Sequence, residues 1–331
     1  MDNVKKSSLF KWKFLIVLTL GLFCSCIHEY PNDSPDNPSA AHVDIQLTID
    51  LDWKYFIEEI GFSTKARNSA NYQLIVEVTK DSELKGREEV FFSAEEFANG
   101  TLRHTLPFTL KPAAYSIAAW VNAVDDHGKN HFYETSSLSN VEQLSLPVKW
   151  DETMICGYAA DILDLREYRG QTNVDVVKKM TVTHCGGRFE LVATDINDFL
   201  GAQKNALLQG ESYTMTLSFS PESPFGFNLF SGGVLRNGNL SERTGELSLP
   251  FGLYDELTIA SGFIFCKADE DVELTLSVHN SARQLIVKTP PFRLPIKNGY
   301  VTRAKGNFLS NEFRNSIDIN NIWEGEITIE L

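Results

Sequence analysis

Seven histidines, 44 acidic residues and five cysteines are the side chains here that could do chemistry. The histidines stand at 28, 42, 104, 127, 131, 184 and 279, and none lies in an H-E-x-x-H pair that would hold zinc from one helix face. No G-x-S-x-G elbow, P-loop or dinucleotide-binding glycine run occurs. Asp125-Asp126-His127-Gly128-Lys129-Asn130 offers calcium-compatible oxygens but lacks the D-x-D-x-D-G order and the distal Glu, and it reads as a hairpin turn. Asp269-Glu270-Asp271-Glu273 reads as a solvated turn ahead of a strand at 272. The expectation is a non-catalytic protein with no metal and no cofactor.

Three cysteines fall in the body of the chain: Cys156, Cys185 and Cys266. The number is odd and no C-x-x-C occurs, which argues against a zinc knuckle or a disulfide framework. They read as small buried hydrophobes, with a Cys185–Cys266 disulfide left open.

The remaining two, Cys24 and Cys26, follow Lys5, Lys6, Lys11, Lys13 and the apolar run Phe14–Phe23. A basic start and a short apolar stretch make a secretory signal, too short to cross a bilayer as a helix. Phe23-Cys24-Ser25-Cys26 resembles a bacterial lipobox, which makes Cys26 the acylated first residue after removal of residues 1–25. Cys24 fits badly, because bulky Phe23 would sit at the cleavage position. Residues 26–42 then form a tether in which Pro31, Pro35 and Pro38 stand among Asn, Asp and Ser. The twelve residues 30–41 within it, YPNDSPDNPSAA, span roughly 35 Å at most.

The net charge is −14, with no dense basic cluster in the body, so nucleic acid is not an expected partner. The elements that must carry any site are strands. Period-two alternation marks Val43–Leu51, Tyr72–Val78, Leu102–Leu110, Tyr213–Phe219, Val272–Val278 and Ile327–Leu331. Turns are marked at Asp126-His127-Gly128, Asn237-Gly238-Asn239 and Asn298-Gly299. Helices are few. Ser93 and Glu96 form a capping box before one turn, and Asp195 is placed to cap a short helix through Ile196, Phe199 and Leu200.

One stretch changes phase. Met180 and Val182 are apolar at even positions, Phe189 and Leu191 at odd ones, and a β-bulge at Gly186-Gly187 would bring both to one face. The run Pro224–Phe230 carries three Phe and reads as core. These features predict an all-β chain of two antiparallel β-sandwiches, residues 43–165 and 176–331, with a seam near 165–177.

Four ordered segments carry a family resemblance. Arg188, Phe189, Glu190, Leu191, Ala193, Thr194 and Asp195 match an R-[FY]-E-L-x-A-T-D run, with His184-Cys185-Gly186-Gly187 departing from the usual preceding break. Pro295, Lys297, Thr302, Gly306, Phe308 and Leu309 match a second motif. Ile322–Ile327 resembles a closing F-x-G-x-I strand, and residues 113–141 a Y-x-[LIV]-x-x-W-x-[DN] strand and hairpin. Together they resemble the fimbrillin-type lipoproteins of Gram-negative anaerobes, over most of residues 43–331.

The resemblance implies two tandem transthyretin-like sandwiches anchored by lipid on the cell outer membrane. It implies a fimbrial subunit or anchor with no catalytic residues, whose partners are other fimbrial subunits joined by strand complementation. Polymerising members are cut by an Arg-specific protease that removes the first strand. Arg67, in a polar stretch before the strand at 72, is the candidate processing site, with an ordinary surface Arg as the competing reading. The alternative function is a surface glycan- or peptide-binding lipoprotein, with an aromatic platform drawn from Trp53, Trp120 or Trp323.

Overall fold

The computed structural model describes residues 45–54, 71–144, 147–149, 154–171, 173–236, 242–249, 252, 254–310, 315–320 and 327–329. In the first half the strands are β1 Ile45–Asp52, β2 Asn71–Lys80, β3 Glu83–Phe92, β4 Thr101–Leu110, β5 Ala114–Val124, β6 Tyr133–Glu134, β7 Val141–Gln143, β8 Cys156–Asp164 and β9 Val174–Thr181. Next come β10 Gly186–Ala193, β11 Tyr213–Phe219, β12 Gly226–Asn228, β13 Gly233–Leu235, β14 Glu242–Glu246 and β15 Leu257–Phe265. The chain closes with β16 Asp269–Asn280, β17 Leu285–Lys288, β18 Phe292–Lys297, β19 Val301–Gly306, β20 Asn315–Asn320 and β21 Ile327–Ile329. Wholly among the described residues, three short α-helices interrupt them: α1 Ala94–Ala98, α2 Ile196–Ala202 and α3 Lys204–Leu208. The fold is all-β.

Two sheets, in the orders β4-β1-β9 and β3-β2-β5-β8, enclose the first core. Two others, β15-β10-β19-β20-β21 and β14-β11-β16-β17, enclose the second, with β18 paired to β16. A small sheet, β13-β12-β7-β6, takes two strands from each half. Behind it lies a third core shared by both halves, built from Ile75, Trp120, Tyr133 and Val141 on one side and Phe227, Phe263 and Phe265 on the other.

This third core explains why β2 is buried on both faces despite its alternating sequence. Leu74, Val76 and Val78 face the first core while Ile75 faces the shared one. β5 divides the same way, with Ile117, Ala119 and Val121 against Ala118 and Trp120. The segment after β7 crosses over completely. Val148 sits in the second core, and Ser261 N–H donates to its carbonyl at 2.8 Å.

Several sequence expectations change here. Residues 174–181, placed at the seam and the start of the second sandwich, instead pair along the whole of β1. Met180 and Val182 fill the first core, and Val182 N–H donates to Asp52 O. The phase change is therefore not a bulge. β9 and β10 belong to different sheets, and neither Gly186 nor Gly187 has positive φ. The glycines are needed for close approach: a Cβ at Gly186 would strike Ile264 O, and one at Gly187 would strike Lys297 O.

Gly187→Ala should therefore lower the free energy of unfolding by about 2–3 kcal/mol, because a backbone carbonyl cannot give way cheaply. Gly201, in α2, has nothing within 4 Å of its would-be Cβ. Gly201→Ala should raise stability by up to about 1 kcal/mol through helix propensity. Paired urea melts check both signs.

The capping box is present, with Glu96 N–H donating to Ser93 Oγ and Ser93 N–H to Glu96 Oε2. Asp195 does precede α2, but its carboxylate makes no cap. It accepts from Leu309 N–H at 2.9 Å instead, tying the helix to the far end of the chain. Asp269–Glu273 is part of β16 rather than a turn, paired with β18, and Glu270 bridges to Arg236 at 2.7 Å. Phe225 and Phe227 are buried as expected.

Candidate functional site

β1 is the middle strand of its sheet. It runs antiparallel to β4, from Ile45 opposite Leu110 to Asp52 opposite Thr101. It runs parallel to β9, from Ile45 opposite Val174 to Asp52 opposite Thr181. Alternation aims Ile45, Leu47, Ile49 and Leu51 into the core, each 0% exposed. Trp53 follows them inward and stacks on Phe92, ring centroids 5.2 Å apart. Side chains add to the ladder: Gln46 Nε2 donates to Leu106 O, and Thr48 and Thr105 hydroxyls meet at 2.8 Å. Trp53 N–H donates to Gly100 O, closing the end of the strand.

The seat of β1 is thus a slot with two walls rather than a single edge. Sequence alternation identified the strand but could not identify the walls. The β9 residues read from sequence as the seam and the start of the second half, because alternation reports which face a residue points to and not which strand lies beside it.

Cys26, Arg67 and Trp323 lie outside the described residues. Trp53 and Trp120 are both 0% exposed, so neither offers the aromatic platform considered for a glycan. Trp120 Nε1–H donates to Asn122 Oδ1 at 2.9 Å within the shared core. The Asp125 loop spends its oxygens internally. Asp125 Oδ1 accepts from His127 N–H and Lys129 N–H, and Oδ2 meets His131 Nε2 at 2.7 Å. The Lys129 amide and the His131 contact hold the Asp125 carboxyl down at about 2. Among the described residues no three His, Cys, Asp or Glu side chains converge as a metal site. One apolar recess of about 390 Å³ opens beside α2 and α3, lined by Leu200, Leu207, Tyr213, Leu247 and Leu249.

Arg243 is the residue that sequence reasoning missed. It lies on β14, 2% exposed, with its guanidinium carbon 4.9 Å from the Phe219 ring centre and 5.4 Å from that of Phe225. Nη2 donates to Phe263 O at 3.1 Å and to Gln143 Oε1 at 3.4 Å. Nε and Nη1 have no partner among the described residues. Burial brings its pKa down to about 9. In Glu-Arg-Thr-Gly-Glu nothing marks the Arg as interior.

A family model, described as a family of unknown function (DUF6562), matches residues 37–331. The chain belongs to this DUF6562 family. No curated protein matches its sequence. Solved structures similar to this family member include the fimbrial anchor protein Mfa2 from Porphyromonas gingivalis. It has 15% identity and a TM-score of 0.46, covering 86% of this chain and 100% of that one. A fimbrial assembly protein from Parabacteroides distasonis has 12% identity and a TM-score of 0.38, covering 87% and 100%. A Bacteroides thetaiotaomicron DUF1812 structure, provisionally described as polysaccharide-binding, has 13% identity and a TM-score of 0.42, covering 86% and 98%. Structural neighbours of this DUF6562 chain thus include Bacteroidetes fimbrial anchor and assembly proteins.

Proposed function

We propose that the chain is a cell-surface fimbrial subunit or anchor that assembles by β-strand donation and performs no catalysis. One observation carries the reading. β1 follows the tether directly in sequence, yet it sits between β4 and β9 and completes their sheet. A strand at the chain's start, held on both sides, is one that a protease could release and another subunit could replace.

In this reading acylated Cys26 attaches the protein to outer-membrane lipid. The body is acidic, so the acyl chain rather than charge would do the holding. Arg67 lies between β1 and β2 in sequence, where a cut would free β1 without touching another described strand.

Mass spectrometry of the protein from cells tests the reading. A stalk subunit begins at Asn68, and an anchor begins at lipidated Cys26. A mature chain starting at any other residue, with no lipid, would sink both. Cys26→Ser should move the protein from the membrane to the soluble fraction, while Cys24→Ser should leave partition unchanged.

A further inference from the structure

Three buried thiols gather where the two halves meet. Cys156 opens β8 in the first half, and Cys185 lies just before β10. Their sulfurs are 3.5 Å apart, in van der Waals contact, and both side chains belong to the shared core. Cys266 is joined to Cys185 through the backbone, its N–H donating to Cys185 O at 3.0 Å. Its side chain, however, packs in the second core. The three do not make a metal site.

We propose that Cys156 and Cys185 are a cross-linking pair, joined as a disulfide when the chain folds in an oxidising compartment. The sulfurs need to close by about 1.5 Å to reach bonding distance. The bond would tie β8 to the entry of β10 and so fasten one half to the other across their common core.

The chemistry is thiol–disulfide exchange with a disulfide oxidant, either oxidised glutathione or a disulfide-bearing thiol oxidase. One cysteine loses its proton, and its thiolate attacks a sulfur of the oxidant. A mixed disulfide forms and half of the oxidant leaves as a thiol. The second cysteine loses its proton, and its thiolate displaces the other half. The two cysteines lose two electrons and two protons, and the oxidant becomes two thiols.

The step belongs to folding rather than to the finished protein. Burial pushes the Cys185 thiol up, and it pushes Cys266 up to about 12, so once the core closes these groups stay protonated and out of reach. The link would then be permanent rather than a switch. It depends on no step of the assembly proposed above.

The test is refolding of the full chain from the reduced, unfolded state in a glutathione redox buffer. The product is alkylated with iodoacetamide under denaturing, non-reducing conditions and its peptides are mapped. Peptides carrying Cys156 and Cys185 should appear joined and lighter by two hydrogens, with Cys266 alkylated. The link should resist dithiothreitol until denaturant is added. Cys266→Ser should keep it. Alkylation of both Cys156 and Cys185, or a Cys185–Cys266 link, would overturn the proposal.

Discussion

Cutting the chain after Arg67 with an arginine-specific protease, and then removing β1, is expected to turn a monomer into linear assemblies. Ile45, Leu47, Ile49, Leu51 and Trp53 are each 0% exposed. At about 2 kcal/mol for each buried side chain, the strand contributes on the order of 10 kcal/mol. That is comparable to the whole stability of an ordinary domain, about 5–15 kcal/mol. The emptied slot also leaves two rows of unpaired N–H and C=O groups, on β4 and on β9. A chain in that state must refill the slot or lose its first core.

Size-exclusion chromatography reads the outcome, with and without excess synthetic peptide covering residues 43–53. Without peptide, the cut protein should elute as assemblies. With it, the protein should stay monomeric with native circular dichroism. The same peptide carrying Leu47→Asp should fail, because it places a charge against the core. Arg67→Ala should resist the cut at that site and remain monomeric. A cut, strand-free protein that stays monomeric and native would refute strand exchange.

Arg243 carries the second large effect. A guanidinium out of water without a carboxylate costs more than its two hydrogen bonds and aromatic contacts return. Arg243→Met keeps much of the volume and removes the charge, so it should stabilise the protein by about 1–4 kcal/mol. Arg243→Ala removes the charge but leaves a void between Phe219 and Phe225, and a net loss of about 2 kcal/mol is expected.

The pH dependence separates charge from packing. The folded pKa of about 9 lies below the ordinary arginine value of 12.5. Between those values the unfolded chain holds a proton that the folded chain has released, so this group's contribution to stability rises with pH. The advantage of Arg243→Met should therefore be full at pH 8 and shrink by pH 11. Urea melts of both proteins across that range measure it. A constant difference would mean that the Met gain is packing alone.

What was legible in the sequence follows from what alternation encodes. Tyr213–Phe219 forms a strand with the expected bounds, and Ser93 and Glu96 make the expected cap. Both depend on neighbours a few residues away. The partners of a strand depend on residues far along the chain. The pattern in Val174–Thr181 is the same beside β1 as it would be beside β10, so its sheet could not be read. Gly186 and Gly187 looked like a bulge because a glycine's need for room and its need for positive φ leave the same letter. Arg243 was hidden for another reason: it occupies a core-facing position in an otherwise polar strand, and nothing local compensates for it.

The direction of β1 has a mechanical consequence. A pull applied to the chain ahead of β1 enters at Ile45, and the neighbouring strand β9 hands the chain on beyond Thr181, at the opposite end of the same ladder. Two parallel strands drawn apart from opposite ends slide along each other. All eight register positions, from Ile45–Val174 to Asp52–Thr181, then share the load together instead of breaking one after another. Resistance to such a pull is set by an unfolding rate rather than by an equilibrium stability. A modest ladder loaded in shear thus holds its strand far longer than the same bonds would if peeled from one end.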